Sequence, residues 1–270
     1  MINYFFYTDS FKGADTALIK SCIEDLNKAV LERSRHEAFY EDYSFYTAEY
    51  APEESLYQKL LQKHPDLTKR LIPSILGKMK HSSVAITSDL DSINAAFPDA
   101  WLNSLWGNFA KEDKKHIMSL AYFRLNRKTI AESVATGGNW TELYPLLFDR
   151  IRITADAEAQ ISKLGSSDAF NKVLKTLCLI DKYNAESWQS GDFRLKVLQD
   201  AYNVTVSDES DTVKRTERLK RQRLFKLSDK LGSQYCYYHA KLGDIRIHIY
   251  PDAVDKIIYI AYVGAHLDLG

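Results

Sequence analysis

Residues 235–265 read YCYYHAKLGDIRIHIYPDAVDKIIYIAYVGA, and their period of two decides how the C-terminal part of the chain folds. YCYYHAKL, IRIHIY and KIIYIAYV are three successive strand-like runs, rich in aromatic and β-branched residues. Leu242-Gly243-Asp244-Ile245 puts Gly-Asp between the first two, which is the strongest hairpin signal in the chain. A two-residue loop then sets Leu242 opposite Ile245, Ala240 opposite Ile247 and Tyr238 opposite Ile249, all on an apolar face. The other face carries Lys241 opposite Arg246, His239 opposite His248 and Tyr237 opposite Tyr250.

That second face is chemically unusual. Like charges directly opposed on a sheet destabilise it by up to about 1 kcal/mol. Here a Lys–Arg pair stands beside two histidines, framed by tyrosines. Such a surface suits a phosphodiester: arginine forks onto two phosphate oxygens, lysine adds a point charge, and histidine exchanges protons near neutral pH. Tyrosine offers a plane on which a base can stack. The competing reading is a solvated sheet face whose Lys and Arg guard an edge.

Upstream of this sheet, residues 214–230 hold eight basic residues and two acidic ones, a local charge of +6 in a chain whose 36 basic and 36 acidic residues otherwise cancel. A cationic stretch entering a sheet can track a nucleic-acid backbone, with Arg215, Arg218, Arg221 and Arg223 as its contacts; a solvated helix face is the plainer alternative. Three of the seven histidines (His239, His248, His266) fall in this last part of the chain. His266 follows the third strand and is placed to reach the same site.

The preceding residues read differently. INYFFY (residues 2–7) is a short strand, Ala14 to Arg35 an amphipathic helix on the stripe Leu18, Cys22, Leu26 and Val30, and YEDYSFYTAEY (residues 40–50) a second strand. Helical spacing returns over 54–63 and 66–80, and a mostly helical stretch is expected over 88–148. Helices follow at 154–164, 168–183 and 190–201, with Ser166-Ser167 as a natural cap. The expected fold class is α+β: an α-rich N-terminal region (1–150) with a few strands, serving regulation or docking, and a C-terminal module (151–270) of helices followed by an antiparallel sheet of three or more strands. The domain boundary is expected within 145–165.

Composition and motifs exclude several functions. The hydrophobic share of 45% excludes a disordered chain. No apolar run is long enough for a membrane span, and the N-terminus lacks a signal-peptide pattern, so a cytoplasmic protein without a membrane partner is expected. Cys22, Cys178 and Cys236 show no CxxC spacing, so no disulfide framework or cysteine zinc site is expected; Cys178 and Cys236 read as core. There is no Walker GxxxxGK[ST], GxGxxG or GxSxG, leaving nucleotide hydrolysis, dinucleotide binding and α/β-hydrolase chemistry unsupported. His36, Glu37 and Glu41 form no HExxH and read as surface residues. VSDES, with Asp208, Glu209 and Asp211, reads as a turn and helix cap; the alternative is a divalent-metal cluster completed by His239 or His266.

The strings VSDES, RQRLF, YHAK, RIHIY and IYIAYVGAHL resemble a C-terminal module of uncharacterised bacterial proteins associated with phage defence and toxin-like systems. The order of helices, cationic segment and strand meander also resembles the RelE/ParE-like toxin fold, whose members cleave RNA without metal or inhibit gyrase. The resemblance covers about residues 150–270. It implies an RNA-directed effector, in its enzymatic form a cofactor-free endoribonuclease in which the RNA 2′-hydroxyl attacks the adjacent phosphate. His239 and His248 would then be the acid/base pair, Arg246 and Lys241 the phosphate stabilisers, and His266 or Tyr237 reserve donors, with Tyr237 and Tyr250 as stacking planes. RNA or the ribosome, a cognate protein such as an antitoxin, and a second copy of the chain are the partners this implies. The rival reading is a non-catalytic protein that binds nucleic acid or an acidic partner with the same face.

Overall fold

The computed structural model describes residues 1–268 and divides the chain into two compact units, 1–130 and 131–270. The division falls earlier than the expected 145–165, because the strand at 151–153 and the helices around it belong with the C-terminal sheet.

The first unit is rich in helix, as expected, but five of its strands form one parallel sheet. Strands β1 (Ile2–Phe6) and β2 (Glu37–Glu41) flank helix α1 (Thr16–Glu32). A two-stranded ribbon, β3 (Glu49–Ala51) and β4 (Glu54–Ser55), precedes α2 (Leu56–Lys63) and α3 (Ile72–Leu76). Then follow β5 (Lys80–His81), α4 (Leu90–Ala96), β6 (Leu102–Trp106), β7 (His116–Ile117) and α5 (Leu120–Val134). The five strands order as β5-β2-β1-β6-β7, and every pairing is parallel. Numbered within the sheet this is 3-2-1-4-5, the order of doubly wound sheets. Both faces are covered: Ile2, Tyr4 and Phe6 pack with α1 and Phe123, while Phe5, Tyr40 and Leu105 pack with Leu90 and Ile93 of α4. A strand buried on both faces reads as a continuous apolar run, as INYFF does.

Four expectations change here. Residues 42–48 turn through a short 3₁₀ segment with Tyr43 left-handed at φ 62°, so their alternation is not a strand; the strand lies upstream at β2. The expected helical stretch 88–148 contains β6 and β7. Of the α1 stripe, Cys22, Leu26 and Val30 are buried as expected, but Leu18 is exposed and Ile19, Ile23 and Ala29 are buried beside the other three. Glu37 and Glu41 are buried, not surface residues. Glu37 accepts from the Ser34 amide at 2.8 Å and from Tyr4 Oη at 3.4 Å, with Arg127 at 3.7 Å; burial lifts its carboxyl above the usual range.

The second unit runs α6 (Trp140–Leu147), β8 (Ile151–Ile153), α7 (Ala155–Ser162), α8 (Asp168–Ser187) and α9 (Leu195–Tyr202). Ser167 caps α8, its hydroxyl accepting from the Phe170 amide. After β9 (Val206–Ser207) come two one-turn helices, α10 (Asp211–Arg215) and α11 (Glu217–Arg221). The hairpin β10 (Leu224–Ser228) and β11 (Gly232–Tyr235) follows, then the meander β12 (Tyr238–Leu242), β13 (Ile245–Asp252) and β14 (Ile257–Ala265). The sheet order is β8-β14-β13-β12-β9, antiparallel except for β8 on β14. Among the described residues no helix is long and apolar enough to cross a membrane.

Candidate functional site

The hairpin forms in the register its turn dictates. Leu242 pairs with Ile245, Lys241 with Arg246, Ala240 with Ile247, His239 with His248 and Tyr238 with Ile249. Gly243 has φ +64° while Asp244 keeps negative φ, the pattern of a turn with glycine at its first central position. A bulge on β14 opposite His248 and Ile249 brings Tyr262 beside His248 and Gly264 beside Arg246. The Tyr262 ring lies over Gly264, where a Cβ would come within 2.5 Å of its hydroxyl.

The predicted Tyr237–Tyr250 pair lies outside the β12–β13 ladder. The backbone there is engaged elsewhere: the Cys236 amide donates to the Arg223 carbonyl at 2.8 Å, and the Tyr237 carbonyl accepts from the Glu209 amide at 3.0 Å. Those two bonds tie residues 209 and 223 to the start of β12. Residues 209–228, from this segment through β10, therefore lie against the polar face, with Phe225 beside both His248 and Tyr262.

The consequence is a buried polar cluster, not an open anion surface. His239 is 5% and His248 1% exposed, with ring centroids 5.3 Å apart. Glu209 lies within 3.6 Å of His239 Nδ1 and accepts from Arg223 Nε at 3.0 Å. Burial pushes the His248 imidazole down to about 4. Burial also lowers His239; Lys241, Arg246 and His266 add to this and Glu209 opposes it. Both rings are therefore neutral near pH 7, and the Arg223–Glu209 pair carries the charge of the cluster. His239 Nδ1 and Arg223 Nη2 are buried with no hydrogen-bond partner. His266 is exposed, its ring 6.2 Å from that of His239. The two histidines thus converge as the hairpin predicts, but neither is open to a phosphodiester.

The cations are distributed differently from the sequence reading. Lys241 is exposed at the hairpin end, and Arg246 folds back so that Nη1 donates to the Ile245 carbonyl at 3.1 Å. Arg215, Arg218 and Arg221 are exposed but closed on Asp211, Asp268 and Glu217, and Lys214, Lys226 and Lys230 on Asp208, Asp229 and Asp255. Arg223 is fully buried, which corrects its placement as a nucleic-acid contact: the turn after α11 aims it inward, where Glu209 compensates its charge. The remaining member, Lys220, lies over the Tyr235 ring at 4.6 Å. The +6 stretch is locally neutralised. VSDES also divides: Ser210 caps α10, Asp208 pairs with Lys214 at 2.6 Å, and Glu209 alone turns inward. Cys236 is buried as expected, and Cys178 is half-buried.

Tyr237 and Tyr250 meet instead in a cleft of about 440 Å³ that the sequence reading missed. Trp188, Phe193, Tyr235 and Tyr238 complete its aromatic walls, and Asp192, Asp208 and Lys214 its polar lip. Tyr235 and Tyr237 stack 5.7 Å apart and nearly parallel, at 6°. Phe193 stands edge-on to Trp188 at 5.3 Å, and the Lys256 ammonium lies 4.7 Å over the Trp188 ring. Lys214, held by Asp208, lies 5.4 Å over Tyr237. Two tyrosines two positions apart, and aromatics either side of Ser190-Gly191, are the only local signals of this cleft.

The function of the chain has to be argued from these two constellations, because no protein-family model, curated protein or solved structure matches it.

Proposed function

We propose that residues 131–268 form an RNA-directed binding module that holds an unstacked base in the aromatic cleft. The observation that carries this reading is the cleft itself, about 440 Å³ between Tyr235, Tyr237, Tyr250 and Trp188. Single-stranded nucleic acids are held by bases stacked on aromatic faces, each worth about 1–3 kcal/mol. The carboxylates of Asp192 and Asp208 accept hydrogen bonds from exocyclic amino groups and from a ribose 2′-hydroxyl, which favours RNA over DNA. Lys214, paired with Asp208, stands at the lip, and the Lys256 ammonium lies over the Trp188 ring.

The setting we attach to this activity is the effector of a bacterial defence or toxin system in the cytoplasm. Its support is the resemblance of residues 150–270, and the helices preceding a strand meander support the RelE/ParE-like likeness. Metal-independent cleavage by His239 and His248 is the second reading, favoured by their 5.3 Å approach near Arg246 and Lys241. It requires residues 209–228 to lift from the sheet.

Fluorescence anisotropy with a short, labelled, mixed-sequence single-stranded RNA tests the proposal. Tyr237→Ala and Tyr250→Ala should each weaken binding roughly 5- to 150-fold, and DNA of the same sequence should bind less well. RNA binding that both variants leave unchanged, or no RNA binding at all, overturns it. Loss of intact RNA during incubation, abolished by His248→Gln, would favour the cleavage reading.

A further inference from the structure

Three separate elements deliver ligand-type side chains to one buried point. Glu209 comes from the turn between β9 and α10, His239 from β12 and His248 from β13, and their donor atoms all lie within 4.8 Å of one another. We propose that this trio binds a first-row divalent transition-metal ion, with His266 placed to complete the site from its exposed side.

The hydrogen bonds around the rings argue for ligands rather than packing. His248 Nδ1 is 3.1 Å from the Cys236 carbonyl, and a carbonyl only accepts, so Nδ1 carries the proton and the Nε2 lone pair is left available. This is the arrangement by which a backbone carbonyl orients a metal-binding imidazole. His266 repeats it, with Nδ1 2.6 Å from the Leu267 carbonyl. His239 is 5% exposed, and its Nδ1 is buried without a hydrogen-bond partner, 3.6 Å from Glu209 Oε1. An unpartnered buried nitrogen is costly, and a cation between it and the carboxylate removes that cost.

Arg223 is the positioning residue. Its Nε holds Glu209 Oε1 at 3.0 Å, fixing the carboxylate. Two imidazoles and one carboxylate select Zn²⁺, Fe²⁺, Mn²⁺ or Co²⁺ over Mg²⁺ and Ca²⁺, which require mostly oxygen ligands. Cys236 contributes its carbonyl, since its sulfur faces the Gln234 carbonyl at 3.7 Å. The sequence leads to no metal, its weaker alternative being a cluster of Asp208, Glu209 and Asp211 with His239 or His266; of these, Asp208 and Asp211 pair with Lys214 and Arg215, while Glu209 and His239 stay in the cluster and His248 joins them. None of the three ligands lines the aromatic cleft, so the fate of this inference is separate from that of RNA binding.

The test uses the full-length protein stripped with a chelator and titrated with Co²⁺ as a coloured probe. One Co²⁺ per chain, displaced by Zn²⁺ and not by Mg²⁺, is the expected result. Co²⁺ should also shift the imidazole proton resonances of His239 and His248 in the unaltered chain, which locates the ion without any variant. His248→Gln and Glu209→Gln should weaken binding by at least about 100-fold, and His266→Ala, at an exposed residue, should alter the Co²⁺ spectrum. Failure of the folded, unaltered chain to bind Co²⁺ or Zn²⁺ stoichiometrically overturns the proposal. So does binding that leaves those imidazole resonances unmoved.

Discussion

Arg223 Nε donates to Glu209 Oε1 across 3.0 Å, and both side chains are sealed from water, with 0% and 3% of their side-chain surface exposed. Removing one partner leaves the other as an uncompensated buried charge. Arg223→Met should therefore destabilise the protein by about 3–5 kcal/mol, read from urea unfolding. The double change Arg223→Met with Glu209→Leu should recover much of that loss. A single variant as stable as the unaltered chain would show that the pair is not buried.

Gly107 marks the close approach of the loops after β1 and β6. A Cβ there would overlap Ser10 Oγ and lie 2.9 Å from the Tyr7 carbonyl. Ser10 cannot swing aside cheaply, since its hydroxyl donates to that carbonyl at 2.6 Å and accepts from the Asn108 amide at 2.9 Å. Gly107→Ala should cost about 1–3 kcal/mol in chemical denaturation.

Burial raises the thiols of Cys22 and Cys236 to about 12. At pH 8 both stay protonated in the folded protein, so a thiolate-directed alkylating reagent should modify them only after unfolding, as peptide mass mapping would show. The sign for stability follows. Unfolded thiols lose their protons from about pH 8.5, so above that pH the native state binds more protons, and stability should fall as pH rises from about 8.5 towards 12. Rapid labelling of either cysteine at pH 8 in the native protein would contradict this.

Salt should act weakly on RNA binding. Of the eight basic residues in 214–230, seven pair with carboxylates. Among the described residues, Lys220, Lys241, Arg246 and Lys256 lie in no ion pair with a carboxylate. The slope of log K against log salt should then be no steeper than about −3, against about −6 for eight free cations on a single strand. A slope near the larger value would mean that the ion pairs open on binding.

The strands and their register were written locally. Gly243-Asp244 makes the turn, alternating side chains commit each strand to one buried face, and a one-residue slip would bury Lys241 and Arg246 in the apolar layer. The capping Ser167 and the apolar spacing of α8 were equally readable, because a helix end and a stripe depend on neighbours three or four residues away. The parallel sheet of the first unit was not. β5 and β7 are two residues long, and their pairing partners lie across crossovers that no local pattern reports.

The sequence by itself determined which side chains share a face of the terminal hairpin. Tertiary structure alone decided what lies over that face. Arg223, Glu209 and Phe225 look like ordinary members of a charged, partly apolar segment. Two backbone hydrogen bonds, from Glu209 to Tyr237 and from Cys236 to Arg223, help to fold that segment onto the histidines. Burial then changes their chemistry: an imidazole that would titrate near neutrality in water is held neutral where hydration is lost, and an arginine that would meet phosphate instead compensates a carboxylate.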